Sequence, residues 1–489
     1  MAILSSDLIR QGASGASTGY TIDQSIRFNE AENAYMHRTP SGAGNRRTWT
    51  WSGWLKHTMT STNGYHNIWT VRSDSNNFFE IAKRVTASGD NFMDITNMTS
   101  STRDIRLITN RHFRDPAAWY HFVFVADTTN VDPSARIRMY VNGIRETSFS
   151  TETLPSQNLE TFINTTNKHE IGAYNGGSGY MMDGYMAEIN FVDGYAYGPE
   201  YFGEFKEDTD IWIPKEYTGS YGTNGYHIDG RDSSDLGDDE SGNGNDFTTS
   251  GMAAHDQMKD SPTNNFCVLN SISILQYGGN FNRGVAQTDL AAYNAGGAET
   301  YAIGTMAFSS GKWYWEFYTT SYPAGNGIIY GITEQDYWEA NGTTSHSYIG
   351  KRAALSERHT SSAYSYWAYS ELGSIGNGLD ASGLTPFQQG VVVGVAVDMT
   401  NNIIAFTTNG SSYGTKDFDT YSYAFGSKAQ FPVWRLLAAT TLNVNFGQDS
   451  TFNGNISAGG NSDGNGIGDF KYAVPSGHLA LCTSNLGAD

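Results

Sequence analysis

The chain has two cysteines in 489 residues, eleven prolines, and 30 basic residues against 50 acidic ones. Two thiols cannot build a disulfide framework, so Cys267 and Cys482 form a single bridge or stay as buried thiols, and burial statistics favour the thiols. No stretch is apolar for long enough to span a bilayer, which argues against membrane insertion. Met1 to Arg10 lack the basic start and apolar run of a signal peptide, so the expectation is a soluble protein made in a cytoplasm. A formal charge of −20 repels phosphate backbones and anionic lipid, which argues against nucleic acid and plain anionic membranes as partners. There is no P-loop, no dinucleotide fingerprint and no zinc ligand set.

What is abundant is aromatic residues, at 13%, and glycine, at 55 residues, while only 16% of the chain is charged. That mixture fits short strands, tight turns and pleated faces covered by Ser, Thr, Asn and Tyr, an all-β protein. The length predicts about two to four domains.

Strand-like segments begin at Ser25. They include Thr50-Trp51-Ser52-Gly53-Trp54-Leu55, the doubly apolar Trp119–Asp127, Arg136–Val141 ending at Asn142-Gly143, His169–Gly172, and Gly184–Phe191. Their order resembles the laminin-G-like, concanavalin A-like jelly roll: a Trp strand, Trp119-Tyr120-His121, Val141-Asn142-Gly143, Ile171-Gly172, and a closing Asp183-Gly184-Tyr185-Met186-Ala187-Glu188. Further on, Gly311-Lys312-Trp313-Tyr314-Trp315-Glu316-Phe317 and the Gly390–Asp398 valine run fit one another. With Phe406-Thr407-Thr408-Asn409-Gly410, Pro432-Val433 and Val444-Asn445-Phe446-Gly447, they resemble the SPRY (B30.2) β-sandwich. The expectation is two tandem β-sandwich (jelly-roll) domains: an arm over 1–24, a first sandwich over 25–215, a Gly/Asp/Asn-rich linker over 216–269, and a second sandwich over 270–489. The run His478–Cys482 reads as an edge strand or docking tail.

Acidic clusters raise two chemistries. Asp232, Asp235, Asp238 and Asp239 could offer oxygens to calcium from one flexible loop, though without EF-hand spacing, and a hydrated linker is the alternative. Asp183 and Asp193 are a second calcium candidate, on the jelly-roll resemblance alone. Retaining glucanases of that fold carry E-x-D-x-x-E on one strand, where this chain has Glu188-Ile189-Asn190-Phe191-Val192-Asp193. The middle acid is missing, and an offset of five sends Glu188 and Asp193 to opposite faces, so no catalytic residue is assigned. Gly15-Ala16-Ser17-Thr18-Gly19 matches a nucleophile elbow but has no strand before it and no helix after it. His121, alone within a buried-looking strand, reads as a core histidine.

Aromatic residues among small polar ones remain for recognition: Tyr174, Asn175, Tyr180 and Tyr185 in the first sandwich, and Tyr364, Tyr366, Trp367 and Tyr369 in a loop of the second. Such groups suit sugar rings or protein surfaces, with edge packing or a subunit interface as the alternative. The tandem arrangement, with Ser241-Gly242-Asn243-Gly244-Asn245-Asp246 and Ala480-Leu481-Cys482-Thr483-Ser484-Asn485-Leu486, resembles virion structural proteins of tailed, marine-type bacteriophages. That resemblance implies a non-catalytic tail-fibre, capsid-fibre or decoration subunit. It would dock on other virion proteins through the arm, bind a host-surface glycan or protein, and assemble as a homo-oligomer, a trimer by analogy with fibres. A cement protein without ligand and a polysaccharide-degrading enzyme are the competing readings.

Overall fold

The aromatic run around Trp49 becomes the central strand of one sheet, because alternate residues can drive large rings into a core while the backbone pairs on both sides. The computed structural model describes residues 19–58, 64–177, 179–271, 283–286, 290–294, 300–321, 328–334, 356–360, 363–370, 373–375, 389–417, 429–436 and 440–487. These fall into two units, one ending at Asn265 and the other starting at Phe266.

In chain order the first unit's strands are β1 (Ser25–Phe28), β2 (Tyr35–Arg38), β3 (Thr48–His57), β4 (Gly64–Asp74), β5 (Asn77–Val85), β6 (Asn91–Thr99), β7 (Thr102–Thr109), β8 (Trp119–Asp127), β9 (Ile137–Val141), β10 (Ile144–Arg145), β11 (Phe149–Thr153), β12 (His169–Ile171), β13 (Gly184–Asp193), β14 (Gly203–Phe205), β15 (Trp212–Pro214), β16 (Tyr226–Ile228), β17 (Thr248–Ser250) and β18 (Gln257–Met258). One sheet runs β10-β9-β8-β3-β13-β1-β18, with β16 also on β13; the facing sheet runs β11-β7-β6-β5-β4-β12-β2-β17. Trp49 and Trp51 from the first sheet meet Trp69 and Phe79 from the second, with Trp49 edge-on to both at 5.9 and 5.5 Å. Each such buried side chain is worth roughly 1.5–3 kcal/mol. The apolar double face of β8 has a direct cause: Phe122 and Phe124 enter the core, while Val123 and Val125 are covered from outside by Phe202 and Tyr217.

The segment 216–265 is not a linker. It closes the first sandwich, adding β16 to β13, β17 to β2 and β18 to β1, and it sends Tyr226, Ile228, Leu236 and Phe247 into the same core. Short edge strands gain most of their hold from backbone pairing, so a segment with few large apolar residues can still be built in. Two buried ion pairs fasten its end, Arg27 to Asp256 and Lys56 to Asp260, at 2.9 and 2.6 Å. The stretch 19–24, expected as the end of a free arm, is also packed on this unit: Ile22 is buried and its N–H donates to Thr263. Residues 1–18 of the arm, including most of the Gly15–Gly19 match, lie outside the described residues.

The second unit starts at Phe266, which bridges to Cys482, rather than at 270. Its strands are β19 (Arg283–Ala286), β20 (Ala291–Asn294), β21 (Thr300–Ile303), β22 (Lys312–Ser321), β23 (Ile328–Glu334), β24 (Ser356–Thr360), β25 (Ala363–Ser370), β26 (Gly373–Ile375), β27 (Val392–Asp398), β28 (Ile403–Thr408), β29 (Ser411–Asp417), β30 (Gln430–Leu436), β31 (Thr441–Asn445) and β32 (Leu479–Ala480). The main sheet runs β19-β20-β31-β22-β27-β28-β29, a three-stranded sheet runs β21-β30-β23, and β24-β25-β26 form a third. Trp313, Trp315 and Phe317 of β22 and Val393, Val395 and Val397 of β27 share one core face, as their alternation predicts. The Asn-Gly pairs 142–143 and 409–410 all have φ between 48° and 79°, the left-handed values that a two-residue hairpin turn needs. The final run forms a short edge strand rather than a free tail: β32 lies parallel to β22, its one strand partner among the described residues, and Leu481 is wholly buried. Cys267 and Cys482 are both buried, and no disulfide joins them.

Candidate functional site

Strands β4 to β7 each bury one face. Trp69 and Val71, Phe79 and Ile81, Met93 and Ile95, and Ile105 and Leu107 point into the core, so the alternate residues line the outer face of the sheet. There the register aligns one residue from every strand. Thr248 pairs with His37, His37 with Glu170, Glu170 with Thr70, Thr70 with Glu80, Glu80 with Thr96, Thr96 with Arg106, and Arg106 with Thr153. Eight polar side chains thus cross the whole sheet, a line of about 30 Å at ordinary strand spacing. A solvent face alone does not demand this, because several of these groups are buried. Thr70 is 0% exposed, Thr96 and Glu170 are 2% exposed, and Asp94, two residues from Thr96 on the same face, is 0% exposed.

The electrostatics are uneven along the row. Asp94 accepts from Arg106 at 2.9 Å and from the Thr96 hydroxyl at 3.0 Å, so both of its oxygens are engaged. Glu170 accepts the Gly176 N–H and pairs with Lys168. Glu80 makes no side-chain hydrogen bond among the described residues; desolvation and the neighbouring Asp94 push its carboxyl up to about 7, against the pull of Arg106, Arg72 and Arg103. Thr70 Oγ1 and Arg106 Nε are buried without a partner, and so is Asn67 Oδ1 on β4. Unfilled donors and acceptors at one face are an invitation to a hydrogen-bonding ligand.

Aromatic rings and guanidinium groups border the row. Arg72 lies 4.5 Å over Tyr174, Arg84 lies 5.3 Å over Tyr65, and Tyr180, 51% exposed, meets Tyr65 and Tyr174 edge-on at 5.8 and 5.6 Å. Of the residues expected from sequence, Tyr174, Asn175 and Tyr180 therefore border this face, with Asn175 exposed in the left-handed region. Tyr185 does not: it is fully buried on β13 in the other sheet, with Lys56 over its ring at 5.8 Å. Tyr364, Tyr366, Trp367 and Tyr369 fall on β25, a strand paired with β24 and β26 and not a loop. Arg72, Glu80, Asp94 and Arg106 were not legible as candidates.

The calcium expectations do not fit the donors present. Asp183 and Asp193 stand at opposite ends of β13, about 30 Å apart by strand rise. Asp183 accepts from Glu30 N–H and Thr58, while Asp193 accepts from Asn45 N–H, Asn164 Nδ2 and Asn224 N–H. Asp239 takes four donors, from His227, Ser241 twice and Asn245. Asp232 and Asp235 accept from Ser234 and Gly237 in their own turns, Asp238 is exposed, and the four carboxylates are not gathered at ligand distance among the described residues. The one cluster that is gathered so, Glu32, His255 and Asp256, already has Asp256 paired to the buried Arg27. Glu188 sits in a β-bulge at φ 52°, accepting from Tyr20 and bonded to His227, so it forms no acid pair with Asp193. His121 is a core residue held by Ser52 and Trp212, and burial takes it down to about 3.

Residues 30–197, from β2 to β13, match the concanavalin A-like lectin/glucanases superfamily, and residues 312–449 match the SPRY domain. The chain thus carries two β-sandwich domains in tandem, one concanavalin A-like and one SPRY. Among solved structures it is similar to the SPRY domain of human HERC1, at 18% identity over 32% of this chain and 87% of that one, with a TM-score of 0.23. A heptameric SAP-like pentraxin from Limulus polyphemus shares 15% identity over 36% and 78%, with a TM-score of 0.27. A protein described as a carbohydrate binding protein from Bacteroides ovatus shares 14% identity over 47% and 58%, with a TM-score of 0.31. No curated protein matches the chain.

Proposed function

We propose that this protein is a non-catalytic adhesion or decoration protein whose first sandwich binds an extended, hydroxyl-rich saccharide across the outer face of the β4–β7 sheet. The observation that carries the reading is the polar row from Thr248 to Thr153, with its buried unpaired Thr70 and Arg106 atoms and its Tyr65, Tyr174 and Tyr180 border. Carboxylates and guanidinium groups exchange hydrogen bonds with vicinal hydroxyls, and flat rings cover the apolar faces of sugars. The family match covers every strand of the row except β17, the neighbour of β2 in the closing segment. Among the described residues no helix is long and apolar enough to cross a membrane.

The resemblance to tailed-phage structural proteins supports a place on a particle surface, as a tail-fibre, capsid-fibre or decoration subunit acting on a host-surface glycan or protein. Docking through the part of the expected arm that precedes residue 19 and a trimeric state belong to the same proposal. A glycan array probed with the full chain and with Tyr174→Ala tests the binding site: hits weakened in the variant support it, and hits unchanged in the variant move the site elsewhere. Glu80 favours a second reading. A carboxyl lifted to about 7 near a second carboxylate on one face is also the arrangement of glycoside hydrolysis. Both oxygens of Asp94 are already engaged, which supports binding over turnover. Reducing-sugar release that disappears in Glu80→Gln would establish the enzyme instead.

A further inference from the structure

The end of the first unit carries three groups that a simple ion pair does not need. Lys56 Nζ, on the central strand β3, lies 2.6 Å from Asp260 Oδ2 and 2.7 Å from Asn265 Oδ1. Lys56 and Asp260 are both wholly buried, and the Trp119 indole donates to the second Asp260 oxygen at 3.1 Å. The Tyr185 ring lies beneath the amine. Asn265 is half-buried, and its Nδ2 is turned away from the lysine to donate to Ala117 O at 2.7 Å. The neighbouring Arg27–Asp256 pair fastens the same strap electrostatically, with Arg27 also donating to the backbone carbonyl of His255.

We propose that Lys56 and Asn265 form an intramolecular isopeptide bond, with Asp260 as the proton relay. A primary amine, a carboxamide and a carboxyl group held together away from water are the complete set of reactants for this condensation. Holding the reactants in contact supplies the effective concentration that free lysine and asparagine lack. Lys56 gives one proton to Asp260 and attacks Cγ of Asn265. The Nζ–Cγ bond forms and the Cγ–Nδ2 bond breaks. Asp260 accepts the second amine proton while passing its own to Nδ2, which departs as ammonia. No electrons are transferred, and Asp260 ends protonated. The partial exposure of Asn265 gives the ammonia a way out.

The product ties β3 covalently to the last residue of the first unit and closes a loop spanning nearly all of that sandwich. Such a tie would keep the closing strap from peeling away from β1 and β13, a function suited to a domain that is pulled upon or meets proteases. The alternative is that Asn265 only satisfies one of the ammonium's donors.

Intact-mass spectrometry of the purified full chain decides between them. The expected result is a mass lower than that of the sequence by one ammonia, a branched peptide joining Lys56 to Asn265 after digestion, and faster migration in a denaturing gel. Lys56→Arg keeps the cation but has no amine able to make the bond, and Asn265→Ala keeps the ion pair; both should fold and show their full sequence masses. A folded wild-type chain at its full sequence mass, with no branched peptide, would overturn the proposal. So would an ammonia loss that persists in both variants.

Discussion

Two glutamates, one in each sandwich, are pushed up to about 7 by burial, yet their surroundings differ. Glu316, on β22, is 0% exposed and fully provided for: the N–H groups of Lys471 and Tyr472, the Tyr314 hydroxyl and Asn445 all donate to it. It stitches the 470–472 segment to the main sheet. Glu80 receives no such donors among the described residues and shares its face with unpaired polar atoms. A raised carboxyl is therefore not by itself a sign of a site; what separates the two is whether the fold has already spent its hydrogen-bonding capacity.

The largest consequence falls on the second sandwich. Glu316→Ala strands two half-buried N–H groups and should cost about 3 kcal/mol of that unit's stability. In scanning calorimetry its transition should drop while that of the first sandwich stays in place; an unchanged transition would break the contrast. Glu80→Gln should behave oppositely. Because the folded-state value of Glu80 lies above the ordinary carboxyl value, its contribution is fullest at acid pH and is lost as pH rises through about 7. Denaturant titrations should find the variant more stable than wild type by about 3 kcal/mol at pH 8 and equal to it at pH 4. Equal stability at both values would mean that Glu80 is solvated. Tyr174→Ala should weaken saccharide binding about tenfold by calorimetric titration and change stability by less than about 0.5 kcal/mol. The smallest effect is expected from Asp232→Ala, within about 0.5 kcal/mol by thermal melting, since its exposed carboxylate serves one turn.

Strands with a strong aromatic or valine rhythm were legible. Trp49, Trp51 and Leu55, the Val393–Val397 alternation and the two Asn-Gly hairpins lie where the pattern puts them. The site-bearing strands β5 and β6 were harder, because Phe79 and Ile81 alternate with Glu80 and Ala82, and Met93 and Ile95 with Asp94 and Thr96. A period of two with carboxylates at its polar positions was the available signal. The row itself could not be read, since it depends on register between strands far apart in sequence. The closing segment 216–265 was misread for a related reason: its strands pair by backbone at sheet edges, which leaves little hydrophobic trace. Tyr185 misled because the strand pattern over Gly184–Phe191 does not say what covers each face of β13, and the ring lies buried under Lys56.

The account rests on the outer face of β4 to β7 as the ligand surface. Hydrogen–deuterium exchange of the full chain, with and without a glycan found on the array, tests this directly. Protection is expected over 64–109 and 170–180, with the SPRY sandwich unchanged. Protection confined to the second sandwich, with 64–109 unaffected, would contradict it.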